Sequence, residues 1–110
     1  MITAITTFRL PNPITREEAR RIFLSTAPKY RGVPGLVRKV YVVSEDGATV
    51  GGVYLWKSRA EAEAMYTDAW RAFVREKYRT EPTVTYFETP VVVDNVNQRI
   101  DSDEESPSLV

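Results

Sequence analysis

A single α+β domain of order β-α-β-β-α-β is the fold class that the sequence predicts. Three observations carry it. Two stretches recur with helical spacing, and each opens on a capping-box pattern, Thr15-Arg16-Glu17-Glu18 and Ser58-Arg59-Ala60-Glu61. Four further stretches are rich in β-branched and aromatic residues. Finally, 110 residues with 43% hydrophobic and 27% charged side chains suit one core and leave no room for a second.

The elements follow in order. Residues 2–10, ITAITTFRL, read as a strand that Pro11-Asn12-Pro13 ends, because proline lacks a ladder donor and restricts its neighbour. After the Thr15 cap, Ala19, Ile22, Phe23, Thr26 and Tyr30 form one helix face, with Pro28 ending or kinking it. Residues 32–35 are a loop, and residues 36–44 a second strand. Glu45-Asp46-Gly47 is a hairpin turn, which makes residues 48–57 an antiparallel neighbour of the second strand. After the Ser58 cap, Ala62, Met65, Tyr66, Ala69, Trp70 and Phe73 continue an apolar face to about Tyr78. Thr67-Asp68 can recap the chain there, giving a kink or two short helices. Residues 83–89 are a fourth strand, and Val91-Val92-Val93 is a further β-prone piece. This is the ferredoxin-like arrangement, a four-stranded antiparallel sheet with both helices on one face. The domain is expected over residues 1–96, followed by an acidic, disordered tail over 97–110.

Composition excludes whole classes of chemistry. The chain has no cysteine and no histidine. Disulfides, thiolate nucleophiles, His-ligated haem, His-based zinc sites and His-based triads are therefore impossible. No cofactor and no metal are expected, and the missing cysteines fit a cytoplasmic protein. No apolar run is long enough to span a membrane, and the first residues carry no signal-peptide pattern. Residues 1–100 hold all 15 Lys and Arg but 11 of the 15 Asp and Glu, so the body is mildly basic and the tail acidic. That imbalance fits a solvated surface and a tail more readily than an anionic partner. No nucleic-acid partner is expected, since GGVYLW lacks the aromatic-basic signature of an RNA-recognition sheet. No carboxylate pair is placed for glycoside chemistry, and the tail acids lack the spacing of a calcium loop.

The strands predict a homodimer. A sheet covered by helices on one face and water on the other should alternate apolar and polar residues. Here Val53 and Leu55 oppose Tyr54 and Trp56, Val40 and Val42 oppose Val37, Tyr41 and Val43, and Val84 and Tyr86 oppose Phe87. Both faces are apolar, so both need a cover, and a second copy is the simplest one.

Residues 28–42 (PKYRGVPGLVRKVYV), 51–56 (GGVYLW), 58–70 (SRAEAEAMYTDAW) and 82–95 (PTVTYFETPVVVDN) together resemble a family of small bacterial proteins. They are described as monooxygenases of the dimeric α/β-barrel class and are related to the antibiotic-biosynthesis monooxygenases. The resemblance spans residues 1–95. It implies sheet-to-sheet dimers that form a barrel, and a pocket in each protomer between its own sheet and helices. It also implies oxidation of a phenol- or quinol-type aromatic by O2 with no cofactor. A non-catalytic dimeric module that binds a small ligand in the same pocket is the alternative.

Tyr41, Tyr54, Trp56, Trp70 and Arg38 are the candidate substrate-binding residues. Tyr54 and Trp56 share one face of a strand of period two, and Tyr41 and Trp70 can converge on it. Rings with one polar atom suit a partly open pocket, which predicts that Tyr54 and Trp56 face the helices. An inward Arg38 would hold a phenolate or enolate by charge-assisted hydrogen bonds. Core packing and surface ion pairs are the plainer roles for the same residues. No residue stands out as a catalytic base. The loop 28–35 can rim the pocket, and Gly51-Gly52 signals a bulge or a close backbone approach.

Overall fold

The structure, a computed structural model, describes residues 1–102. Strand β1 spans Ile2–Arg9 and helix α1 spans Arg16–Thr26, continued by a 3-10 turn at Ala27–Tyr30. Strands β2 (Leu36–Val43) and β3 (Thr49–Trp56) follow, then helices α2 (Arg59–Met65) and α3 (Asp68–Tyr78), strand β4 (Thr83–Glu88) and a final pair, β5 (Val91–Asp94) and β6 (Arg99–Ser102). The four-stranded sheet has the order β2-β3-β1-β4, and each neighbouring pair is antiparallel. This is the expected ferredoxin-like α+β architecture.

The caps act as the sequence predicts. Thr15 Oγ accepts from the Glu18 amide at 3.0 Å, and Glu18 returns the bond by accepting from the Thr15 amide at 2.9 Å. At Ser58 only half of the box forms. Its hydroxyl accepts from the Glu61 amide, and the Glu61 carboxylate bonds that same hydroxyl rather than the backbone. Thr67 recaps the chain by accepting from the Trp70 amide, so the second helical stretch is two short helices. Gly47, with φ of 72°, closes the β2–β3 hairpin.

One face of the sheet is the core. Ile2, Ala4 and Phe8 of β1 and Val50, Tyr54 and Trp56 of β3 are buried against Ala62, Trp70 and Val74 of the helices. Tyr54 and Trp56 thus face the helices as expected. The bulge lies elsewhere than at Gly51-Gly52. The β1–β3 register is continuous through both glycines, whereas β2–β3 slips between Leu36 and Arg38. Gly52 marks the other option, a close approach: a Cβ there would stand 3.0 Å from the Tyr54 ring and 3.1 Å from Lys39 Cε.

The opposite face carries Val40 and Val42 of β2, Val53 and Leu55 of β3, Ile5 of β1 and Phe87 of β4, as the register places them. Phe87 is 51% exposed and Val40 46%.

The polar stretch expected to begin a disordered tail at residue 97 instead completes a hairpin, in which β5 pairs antiparallel with β6. Its polar residues serve the turn. Asp94 accepts from the Val96 and Asn97 amides and from Asn97 Nδ2, and Gln98 takes the left-handed conformation at φ 54°. Residues 103–110, the rest of the expected tail, lie outside the described residues. No helix among the described residues is long and apolar enough to cross a membrane.

Candidate functional site

Strand β2 alternates strictly after its bulge. Lys39 pairs with Tyr54 and Tyr41 with Gly52, so both point to the helical side, while Arg38 pairs with Leu55 on the open side. The expected inward cation is therefore Lys39 and not Arg38. Alternation from Tyr41 back through Val40 sets this: the slip at Val37 lies before both cations and leaves their parity with Tyr41 unchanged.

Lys39 sits in a cage of tyrosines. Its Nζ lies 3.3 Å from the ring centre of Tyr30, 3.8 Å from that of Tyr41 and 4.7 Å from that of Tyr54. Among the described residues it forms no ion pair. Burial, with Lys29 nearby as a second positive charge, pulls its pKa down to about 7 from an ordinary 10.5. The rings favour the ammonium, but water removed from a charge with no counter-ion costs more.

A second layer fixes the cage. Trp70 Nε1 donates to Tyr30 Oη at 3.0 Å, and Tyr41 Oη is 2.9 Å from Thr26 Oγ1. Phe23 stacks on the outer face of Tyr41 at 4.7 Å. Trp56 Nε1 donates to Tyr66 Oη at 3.1 Å, and Tyr66 meets Tyr54 and Trp70 edge-on. Desolvation pushes the phenols of Tyr41, Tyr54, Tyr66 and Tyr78 above the ordinary tyrosine range. They stay protonated at neutral pH.

Two spaces meet at this cage. Inside, a cavity of about 20 Å³ is bounded by Thr6, Lys39, Gly52, Tyr54, Phe73 and Tyr78, with Tyr30 and Tyr41. It has room for one water but not for an aromatic ring. Outside, a groove of about 280 Å³ runs along the β2 edge beneath the 3-10 turn, lined by Arg31, Leu36, Val37 and Arg38. Tyr30, Lys39 and Tyr41 border both spaces and form the wall between them.

The five predicted residues thus divide. Tyr41 and Arg38 line the open groove, and Tyr54 lines the inner cavity. Trp56 and Trp70 are core residues, 0% and 4% exposed, and Trp70 reaches the cage only through its bond to Tyr30. Lys39 was missed as a site residue, whereas Tyr30 and Arg31 fall within the loop 28–35 that was expected to rim the pocket. The signal for Lys39 was its parity with Tyr41 and Val43 in LVRKVYVV, where a lysine on the buried face stands out. No cluster of three or more carboxylates that could hold a metal exists among the described residues.

The depressed lysine links stability to pH. Between its folded pKa of about 7 and its unfolded value of 10.5, the unfolded chain carries the proton and the folded chain does not. Stability therefore rises with pH across that window and carries the full penalty below it. Urea midpoints of the native chain are expected to climb from pH 7 to pH 9, and those of Lys39→Met to stay nearly level. A matching climb in the variant would assign the effect to other groups.

No curated protein matches the chain. Among solved structures it is similar to a monooxygenase from the gene ActVA-Orf6 of Streptomyces coelicolor, solved with Nanaomycin D. The two share 22% identity, covering 80% of this chain and 86% of that one, with a TM-score of 0.61. SnoaB, a cofactor-independent oxygenase from Streptomyces nogalater, is 16% identical over 80% of this chain and 91% of its own, with a TM-score of 0.58. Rv0793 from Mycobacterium tuberculosis is 19% identical over 81% and 95%, with a TM-score of 0.58. These likenesses show a shared fold. The family described as "Putative mono-oxygenase ydhR" matches residues 5–98, nearly the whole described chain, and the protein belongs to that family.

Proposed function

We propose that the protein is a cofactor-independent monooxygenase that oxidises a small phenol- or quinol-type aromatic in the groove at the β2 edge. The wall of Tyr30, Lys39 and Tyr41 carries this reading. It offers aromatic faces for a flat ring and positive charge for an oxyanion, and among the described residues no carboxylate lines the groove to repel one. Family membership supports it. So does the similarity to one oxygenase described as cofactor-independent and to another solved with Nanaomycin D.

The substrate itself must supply the electrons. For an anthrone, the methylene carbon loses two hydrogens and gains one oxygen atom. The second oxygen atom leaves as water with those hydrogens, and four electrons pass from substrate to O2. The enol tautomer of an anthrone is a phenol, and its anion is the electron donor. Arg31 and Arg38 at the mouth attract that anion, and the tyrosine rings exclude water from it.

The working unit in this reading is a homodimer in the cytoplasm. The open sheet face presents Val40, Val42 and Phe87, each more than 40% exposed, and the β5–β6 hairpin exposes Val91, Val93 and Ile100. An isolated two-stranded hairpin is marginal in water, so both surfaces call for a cover. Sheet-to-sheet pairing would cover the first and leave the helical side free for the groove.

Two measurements test this. Sedimentation is expected to give about twice the 12.5 kDa chain mass, and Val53→Asp, at the centre of the open face, to give a folded monomer. A monomeric native chain would contradict the assembly. In an oxygen electrode, anthrone with the native protein is expected to consume O2 well above its spontaneous rate. Binding of anthrone without O2 uptake would favour a non-catalytic binding module of the same fold.

A further inference from the structure

Building on the groove reading, we propose that Lys39 is the base that takes the proton from a bound phenol, leaving a phenolate paired with its own ammonium inside the tyrosine cage. The step is a proton transfer: the phenol O–H bond breaks, an N–H bond forms at Nζ, and no electrons leave the pair.

Elimination among the surrounding groups carries the argument. The groove contributes Arg31 and Arg38, whose guanidiniums offer hydrogen-bond donors and no acceptor. Tyr30 on the 3-10 turn, Tyr41 on β2, Tyr54 on β3 and Tyr78 on α3 surround the same space, together with the hydroxyls of Thr6 and Thr26. These side chains carry hydroxyls, and among the described residues no carboxylate borders either space. Lys29 on the 3-10 turn lies over the Phe73 ring at 3.7 Å and adds positive charge nearby. Among the described residues, Lys39 combines access to the groove with an amine that gives up its proton as pH rises through about 7.

Geometry favours the product of the step. The cage holds Nζ at 3.3–4.7 Å from three ring centres, and among the described residues it has no anionic partner. An ammonium there is unpaired until an anion arrives, so a phenolate in the groove supplies the missing charge. In low-dielectric surroundings each ion then stabilises the other far more than in water. Above its pKa of about 7 the lysine is therefore largely neutral in the empty site and charged in the occupied one, which is the exchange a base must make.

The test uses 2-naphthol at pH 8, where the free probe is un-ionised and its naphtholate absorbs to the red of all protein bands. Binding is followed by equilibrium dialysis and ionisation by absorbance. The native protein is expected to bind the probe with a naphtholate band, a shift of roughly one pKa unit or more in the bound probe, tenfold in its ionisation ratio. No proton should reach the buffer, because Nζ keeps it. Lys39→Met and, as a second replacement, Lys39→Gln are expected to bind the probe un-ionised. Bound but un-ionised probe in the native protein overturns the assignment of Lys39 and leaves the groove standing as a binding site. So does an undiminished naphtholate band in a folded variant, or stoichiometric proton release to buffer by the native protein. Absence of any binding overturns the groove reading and this inference with it.

Discussion

The lysine at position 39 carries a group that water solvates strongly, yet the fold surrounds it with tyrosine rings and gives it no counter-ion among the described residues. Cation–π contacts are worth about 2 kcal/mol when desolvated. The effective penalty for taking an ion out of water is several kcal/mol. The rings therefore soften the cost without cancelling it, and the amine gives up its proton near neutrality. Much of the neighbouring structure serves this arrangement. Gly52 leaves the space that Lys39 and Tyr54 fill, Trp70 pins Tyr30, and Thr26 pins Tyr41. The aromatic core is the rigid frame of the cage, and Trp56 belongs to it through Tyr66.

The two faces of the sheet divide the labour. Strand parity sends Lys39, Tyr41 and Tyr54 to the helical side, where the rings keep water away from a charge. The same parity sends Val40, Val42, Val53 and Leu55 to the open side, where they form an apolar patch flanked by the threonines of β1 and β4 that suits association. A one-residue change of register in β2 would exchange these roles.

The architecture was legible in the sequence because each of its signals is local. Thr15, Ser58 and Thr67 announce three helix starts, and Gly47 announces the hairpin. The aromatic residues were legible as a group, and the facing of Tyr54 and Trp56 followed from period two. What escaped depends on tertiary geometry. A bulge at Val37 has no glycine to mark it, so Val37 looked like a neighbour of Tyr41 and Val43 on the covered face, whereas it is half exposed. Core and site aromatics have the same composition, and only the meeting of groove and cavity at Tyr30, Lys39 and Tyr41 separates them. The polar run after Asp94 has the composition of a tail, but its Asp and Asn side chains bond the backbone of a turn and let β6 pair.

The most direct measurement is the titration of Lys39 itself. Heteronuclear NMR of protein labelled at the lysine Cε, with the Lys39 signal assigned by its absence from Lys39→Met, follows its ionisation in the native chain. The account predicts a midpoint near pH 7, well below the ordinary lysine value of 10.5. A midpoint near 10.5 would contradict it and leave the cage an ordinary cation–π contact.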